Sequence, residues 1–222
     1  MLGANTTVLL DKQVLLLYNY SMKTKYQNLD KLILVDADGV LLDWEWAFSV
    51  WMQERGYTLT VDNKKSYYLH EHYNELTPED APKVIKTFNE SAAIGFLPPL
   101  RDAMFYVKRL HEEYGYRFHC ITSLSTDKNA VKLREKNLSK LFGKTAFERV
   151  VCLPTGAPKD QALEEYRDTG CYWIEDKPEN AEAGHQVGLK SLLIEHGHNM
   201  HYQHDNIPLV KNWKEIFNII TN

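Results

Sequence analysis

The apolar positions of this chain follow two different periods. Residues 32–35 (LILV), 118–123 (FHCITS), 149–154 (RVVCLP), 171–176 (CYWIED) and 191–196 (SLLIEH) are short apolar runs. That is the pattern of strands buried on both faces. Between them the apolar residues recur at helical spacing, which predicts helices over 44–56, 62–75, 78–91, 100–114, 126–142, 158–167, 179–187 and 208–220. Thr77-Pro78-Glu79-Asp80 supplies a capping residue and an early Pro for the third of these. Gly56 and Gly115 stand where two others should stop.

Strands alternating with helices indicate a parallel sheet with crossover connections. Residues 45–97 interrupt that alternation with helices alone, and Leu97-Pro98-Pro99 reads as the return linker. The expected organisation is an N-terminal extension (1–31), an α/β core (32–44 and 98–222) and an inserted helical cap (45–97).

Composition narrows the partners. Of 222 residues, 44% are hydrophobic and 25% charged, an ordinary soluble balance. The formal net charge of -4 argues against a nucleic-acid polymer, which usually meets a basic surface. No stretch approaches the ~18 apolar residues a membrane helix needs. The N-terminal TTVLLDKQVLLLYNY is broken by Asp11, Lys12 and Gln13 and lacks a basic leader. The three cysteines, Cys120, Cys152 and Cys171, form no CxxC pair and sit in or beside strand-like runs. Free buried thiols and a cytoplasmic location are expected.

In parallel α/β sheets ligands bind at the carboxyl ends of the strands. Four such ends here carry polar residues: Asp36 and Asp38 after the first, Thr122 and Ser123 on the second, Lys159 beyond the third, Glu175 and Asp176 on the fourth. One strand-ending Asp is often only a helix cap, but four ordered positions on one edge are not explained by capping. Bringing three carboxylates together is costly, since two charges ~4 Å apart repel by roughly 4 kcal/mol at an effective dielectric near 20. Magnesium, which takes oxygen ligands, would offset this. Lys159 adds a second positive charge, and Thr122 and Ser123 can donate to phosphate oxygens. A carboxylate nucleophile with a second Asp two residues on suits phosphomonoester hydrolysis through an acyl-phosphate.

VDADGVLLD (35–43) resembles the first motif of the haloacid dehalogenase-like superfamily, DxDG followed by Val or Thr. ITS (121–123), Lys159 of APKD and the acidic pair of WIEDKPENA (173–181) are similar to its second, third and fourth motifs in order. The resemblance implies a Rossmann-like core with a C1 helical cap. It also implies Asp36 as nucleophile, Asp38 as general acid/base, and Thr122 and Lys159 as phosphate-binding residues. Mg2+ would be held by Asp36, the Asp38 carbonyl and Asp176, with Glu175 behind them. Asp at position 38 points to a phosphatase. KKSYYLHEHYNEL (64–76), FLPPLRDA (96–103), IEDKPE (174–179) and NWKEIF (212–217) further resemble segments of the 5'(3')-deoxyribonucleotidases. That implies a nucleotide substrate whose base is enclosed by Trp44, Tyr67, Tyr68 and Phe88. Glu175 departs from the family's usual Asp, and tyrosines stand at 67 and 68.

The rival readings are the same chemistry on a sugar phosphate, a catalytically silent binding module, and an end-processing phosphatase for nucleic acids. The partner expected is a small phosphorylated molecule, with a homodimer as the oligomeric alternative. HGHNMHYQH (196–204) reads as a solvated or locally hydrogen-bonded loop rather than a zinc site, His70 and His72 as surface residues on different faces, and Lys64-Lys65 as a solvated pair.

Overall fold

The computed structural model describes residues 29–60 and 66–222. The extension over 1–21, the Lys64-Lys65 pair and the start of the predicted 62–75 helix lie outside the described residues. In chain order the regular elements are β1 (Leu32–Val35), α1 (Trp44–Gln53), α2 (Ala81–Asn89), α3 (Ala103–Glu112), β2 (Arg117–Thr122) and α4 (Lys128–Phe142). They continue with β3 (Phe147–Cys152), α5 (Asp160–Leu163), β4 (Tyr172–Glu175), α6 (Pro178–Gln186), β5 (Lys190–Ile194), β6 (Leu209–Val210) and α7 (Trp213–Thr221).

The strands form a six-stranded sheet in the order β3-β2-β1-β4-β5-β6. Every pairing is parallel. From β1 the chain builds outward to β2 and β3, then returns to lay β4, β5 and β6 on the other side. The switch point lies at β1, where strand order reverses and a ligand crevice is expected. Val35 is level with Cys120 on one side and Ile174 on the other. The register therefore sets Asp36, Thr122 and Glu175 at neighbouring strand ends. Β1 is buried along its whole length, as its unbroken apolar run requires.

Among the described residues, the segment between β1 and α3 adds no strand to the sheet. Its two ends run side by side: Asp43 donates to Pro98 O at 2.9 Å and Leu100 to Leu41 O at 2.9 Å. Asp43 caps α1 by accepting the N–H of Trp46. The predicted 62–75 helix is not found. The described part holds a 3-10 turn, Leu69–Glu71, and a bridge between Leu59 and Tyr73. A run rich in Tyr and His, residue types of modest helix propensity, offered weak intrinsic support for a helix there. Leu209–Val210 pairs with β5 instead of opening the final helix, which starts at Trp213 with Asn212 as its cap. One apolar cluster joins Val35, Phe118 and Ile174 of the sheet to Phe48, Met52 and Phe88 of the insertion. All three cysteines are free thiols, Cys120 and Cys171 buried and Cys152 half-buried. No helix among the described residues is long and apolar enough to cross a membrane.

The acidic end of β4 is held by α6. Trp173 of β4 is fully buried and donates its indole N–H to Asn180 O at 3.0 Å. Gly184 of α6 lies against that ring: a Cβ there would collide with Trp173 and come within 2.9 Å of Ser191 Oγ. Alanine gains about 1 kcal/mol of helix propensity over glycine. Overpacking against a full site costs up to about 3 kcal/mol. Gly184→Ala is therefore expected to lower stability by about 1–2 kcal/mol, read as a lower urea midpoint; an unchanged or raised midpoint would refute the close contact.

Candidate active site

Asp36 leaves β1 still tied to the sheet, its N–H donating to Ile174 O at 2.9 Å. One carboxylate oxygen accepts the N–H of Ala37 at 2.6 Å, and the other meets Lys159 Nζ at 2.8 Å. The chain then turns tightly, with Leu41 and Leu42 both donating to Ala37 O at 2.9 Å. Gly39 makes this turn at φ +75, and a Cβ there would press on the Asp176 carboxylate. Both its backbone conformation and its neighbour require glycine.

Glu175 ends β4 fully buried. One of its oxygens binds Lys159 Nζ at 2.7 Å, and the other accepts Lys177 N–H at 3.1 Å and Asn180 Nδ2 at 3.4 Å. Lys159, 1% exposed at the start of α5, thus bridges two carboxylates. Burial alone would lower its pKa, but the charges of Asp36 and Glu175 win and raise it. Asp176 lies beside them: one carboxylate oxygen from each of Asp36, Glu175 and Asp176 falls within 4.8 Å of the others. Burial, then the charges of Glu175 and Asp36, push the Asp176 carboxyl well above the usual range. Three acids share one lysine, so a hard divalent cation fits both the donor set and the surplus charge.

Thr122 reaches the same edge with its hydroxyl buried and without a hydrogen-bond partner among the described residues. A buried hydroxyl left unpaired beside a charged cluster is suited to a ligand oxygen. Ser123 differs from expectation. Its hydroxyl donates to Ala157 O at 2.7 Å, bracing the loop that carries Lys159, so its proton is not available to a phosphate.

Asp38 shows a partner that the sequence reading missed. Both its oxygens are held by Arg134 of α4, at 2.7 and 2.9 Å, in a fork-to-fork pair. The Arg134 side chain is fully buried, whereas that of Asp38 keeps 24% exposure. Burial raises the Asp38 pKa and Arg134 opposes the rise. The signal was present in the sequence: Arg134 falls on the α4 stripe of Ala130, Asn137 and Leu138, all buried. An arginine on a buried stripe needs an acidic partner.

The expected aromatic enclosure assembles only in part. Phe88 is fully buried, packed edge-on to Trp44 and Phe48, and has no surface to offer a base. Trp44 stacks on Phe48 at 4.6 Å and donates its indole N–H to Asn89 at 2.9 Å. Tyr67 and Tyr68 are exposed. Tyr67 keeps half its surface open to solvent; its partial burial, then the charges of Asp176, Glu175 and Asp36, push its pKa up to about 12. Lys177 Nζ lies 5.0 Å from its ring centre and His198 5.5 Å away.

No protein-family model matches the chain. An uncharacterized 32.4 kDa protein of Enterobacteria phage T4 is 26% identical over 166 residues, covering 70% of this chain and 57% of the phage protein. The chain thus spans little more than half of that relative. Among solved structures, a haloacid dehalogenase-like family hydrolase from Streptococcus pneumoniae superposes with a TM-score of 0.59 at 16% identity, covering 86% of this chain and 98% of that one. The fold is that of the haloacid dehalogenase-like hydrolases. CbbY from Rhodobacter sphaeroides, solved with phosphate, shares this fold (TM-score 0.53, 16% identity, 84% and 96% coverage). So does a D,D-heptose 1,7-bisphosphate phosphatase from B. bronchiseptica, solved with magnesium and phosphate (TM-score 0.51, 11% identity, 86% and 97% coverage). In this chain Asp36, Thr122, Lys159, Glu175 and Asp176 lie together at one end of the sheet.

The Asp38–Arg134 pair yields a quantitative expectation. Removing one partner of a buried ion pair typically costs 3–5 kcal/mol; partial exposure of Asp38 puts Arg134→Met near the lower end, at about 3 kcal/mol. In a double-mutant cycle, adding Asp38→Ala should cost much less than it does alone. Additive losses in urea unfolding would show that the pair is not coupled.

Proposed function

We propose that this chain is a magnesium-dependent phosphomonoesterase working through an aspartyl-phosphate on Asp36. The observation that carries the reading is the juxtaposition of Asp36 with a lysine bridged to a second acid, a third acid, and an unpaired buried threonine hydroxyl. Asp36 attacks phosphorus and the bond to the leaving oxygen breaks. Asp38 must leave its fork with Arg134 to donate a proton to that oxygen, and afterwards takes one from the water that hydrolyses the acyl-phosphate, releasing orthophosphate. Lys159 and Thr122 bind phosphoryl oxygens, while Glu175 orients the lysine through its 2.7 Å contact. A magnesium ion held by Asp36, Asp176 and the Asp38 carbonyl would polarise the phosphoryl oxygens.

The substrate class is a small phosphate ester, the kind of substrate that an inserted helical cap encloses and shields from water. Deoxyribonucleoside 5'- or 3'-monophosphates are the preferred substrates, supported by the nucleotidase-like segments and by the exposed rings of Tyr67 and Tyr68. A sugar phosphate is the second reading. It is favoured by the reduced enclosure, since Phe88 is buried and the Trp44 N–H is engaged.

Phosphate release should be measured with magnesium across deoxynucleotides, ribonucleotides and sugar phosphates. Asp36→Asn is expected to lower turnover by at least about a thousand-fold. Tyr67→Ala should raise KM for nucleotides about ten-fold or more while leaving 4-nitrophenyl phosphate nearly unchanged. Turnover led by sugar phosphates, with equal losses in Tyr67→Ala, would sink the nucleotide reading and keep the chemistry. Full activity in Asp36→Asn would sink both.

A further inference from the structure

The histidine-rich run, expected as a solvated or locally hydrogen-bonded loop, is the latter and lies across the backbone of the site. His196 Nε2 lies 2.6 Å from Gly39 O, in the turn after Asp36. His198 Nε2 lies 3.1 Å from Asp176 O, and Asn199 donates to the same carbonyl at 2.7 Å. A carbonyl only accepts, so both imidazoles present Nε2–H. Their rings stack in parallel with centres 5.6 Å apart.

Asn199 is the centre of this strap, and it is 3% exposed. Its second amide N–H goes to Ile194 O at 2.8 Å, and its Oδ1 accepts His196 N–H at 2.8 Å. Both donors are thus spent on carbonyls and its oxygen on a backbone N–H, so the amide orientation is forced. Aspartate would lack the donors and leucine all three bonds. The strap joins the end of β5 to the residue after β4.

We propose that Asn199, assisted by His198, is a positioning residue for the divalent metal, acting through the Asp176 carbonyl. The inference rests on the reading of Asp176 as a metal ligand. Repulsion from Asp36 and Glu175 favours rotation of the Asp176 carboxylate away from the cluster. Two hydrogen bonds on its carbonyl fix the Asp176–Lys177 peptide plane and remove the backbone freedom such a rotation would use. The carboxylate is then held where the cation binds, and binding need not bear the cost of gathering the acids. Partners behind a metal ligand commonly contribute 10–100-fold in metal affinity.

The test is calorimetric titration of Mg2+ into the full chain without substrate, with urea unfolding in EDTA alongside. Asn199→Ala is expected to raise the Mg2+ Kd about 10–100-fold. His198→Phe, which keeps the ring stack and loses the longer bond, should raise it by a smaller factor. A structural strap would lower the unfolding midpoint in EDTA and leave Mg2+ affinity at the wild-type value in both variants; that result overturns the proposal. Should Asn199→Ala fail to fold, His198→Phe decides alone. Absence of Mg2+ binding by the wild type, or wild-type affinity in Asp176→Asn, overturns the metal assignment beneath it, and is distinct from failure of the strap.

Discussion

The arrangement that the rest of the site depends on is a cluster of three carboxylates with one buried lysine bridging two of them. At separations near 4 Å each like-charge pair costs roughly 4 kcal/mol at an effective dielectric near 20. Lys159 satisfies Asp36 and Glu175 at 2.8 and 2.7 Å and leaves Asp176 with surplus charge. Such a cluster persists only where the backbone leaves its members nowhere else to go. The sheet supplies that constraint, because β1 and β4 are neighbours and Asp36 N–H is bonded to Ile174 O. Side chains at adjacent strand ends cannot separate without breaking the ladder. A rigid excess of negative charge makes this location complementary to a cation.

The constraint is reinforced from three directions. The loop before α5 carries Lys159 and is braced by Ser123 on Ala157 O. Helix α4 delivers Arg134 to Asp38, so the second acid of the turn is neutralised separately from the first. The strap from β5 satisfies the carbonyls of Gly39 and Asp176, which face no strand partner. Buried backbone carbonyls need donors, and here those donors also determine where the acids point. Ion pairs fix the side chains and hydrogen bonds fix the peptide planes.

How much was legible from sequence follows from the range of each signal. The five long strands declare themselves by unbroken apolar runs, and their polar ends locate Asp36, Thr122, Glu175 and Asp176, because a parallel sheet aligns its carboxyl ends by topology alone. The two-residue strand Leu209–Val210 is too short for any period and exists only because β5 offers an open edge. Residues 66–75 carry aromatic and histidine residues at spacings compatible with a helix, yet their contacts with Leu59 and Thr58 hold the chain otherwise. Arg134 lies 96 positions from Asp38, and the histidine strap gains its role from carbonyls that a sequence does not display. Phe88 could not be assigned between core and ligand by residue type, since both uses call for the same ring.

That last ambiguity has a physical resolution that bears on specificity. Trp44, Phe48 and Trp51 fall at helical spacing on α1, and their rings close against Phe88 of α2 at centre distances of 5.4, 5.2 and 5.6 Å. Aromatic rings packed edge to face on one another form a rigid wall. A wall whose faces are consumed by its own packing cannot also stack on a ligand. Under the proposed function, discrimination falls to the rings outside it, Tyr67 and Tyr68, on a segment of irregular backbone where Tyr67 lies beside Lys177 and His198. An irregular segment tolerates substitution more easily than a packed helix pair. The packed wall is therefore the fixed part of this structure, and the 66–72 segment is where substitution costs least to folding.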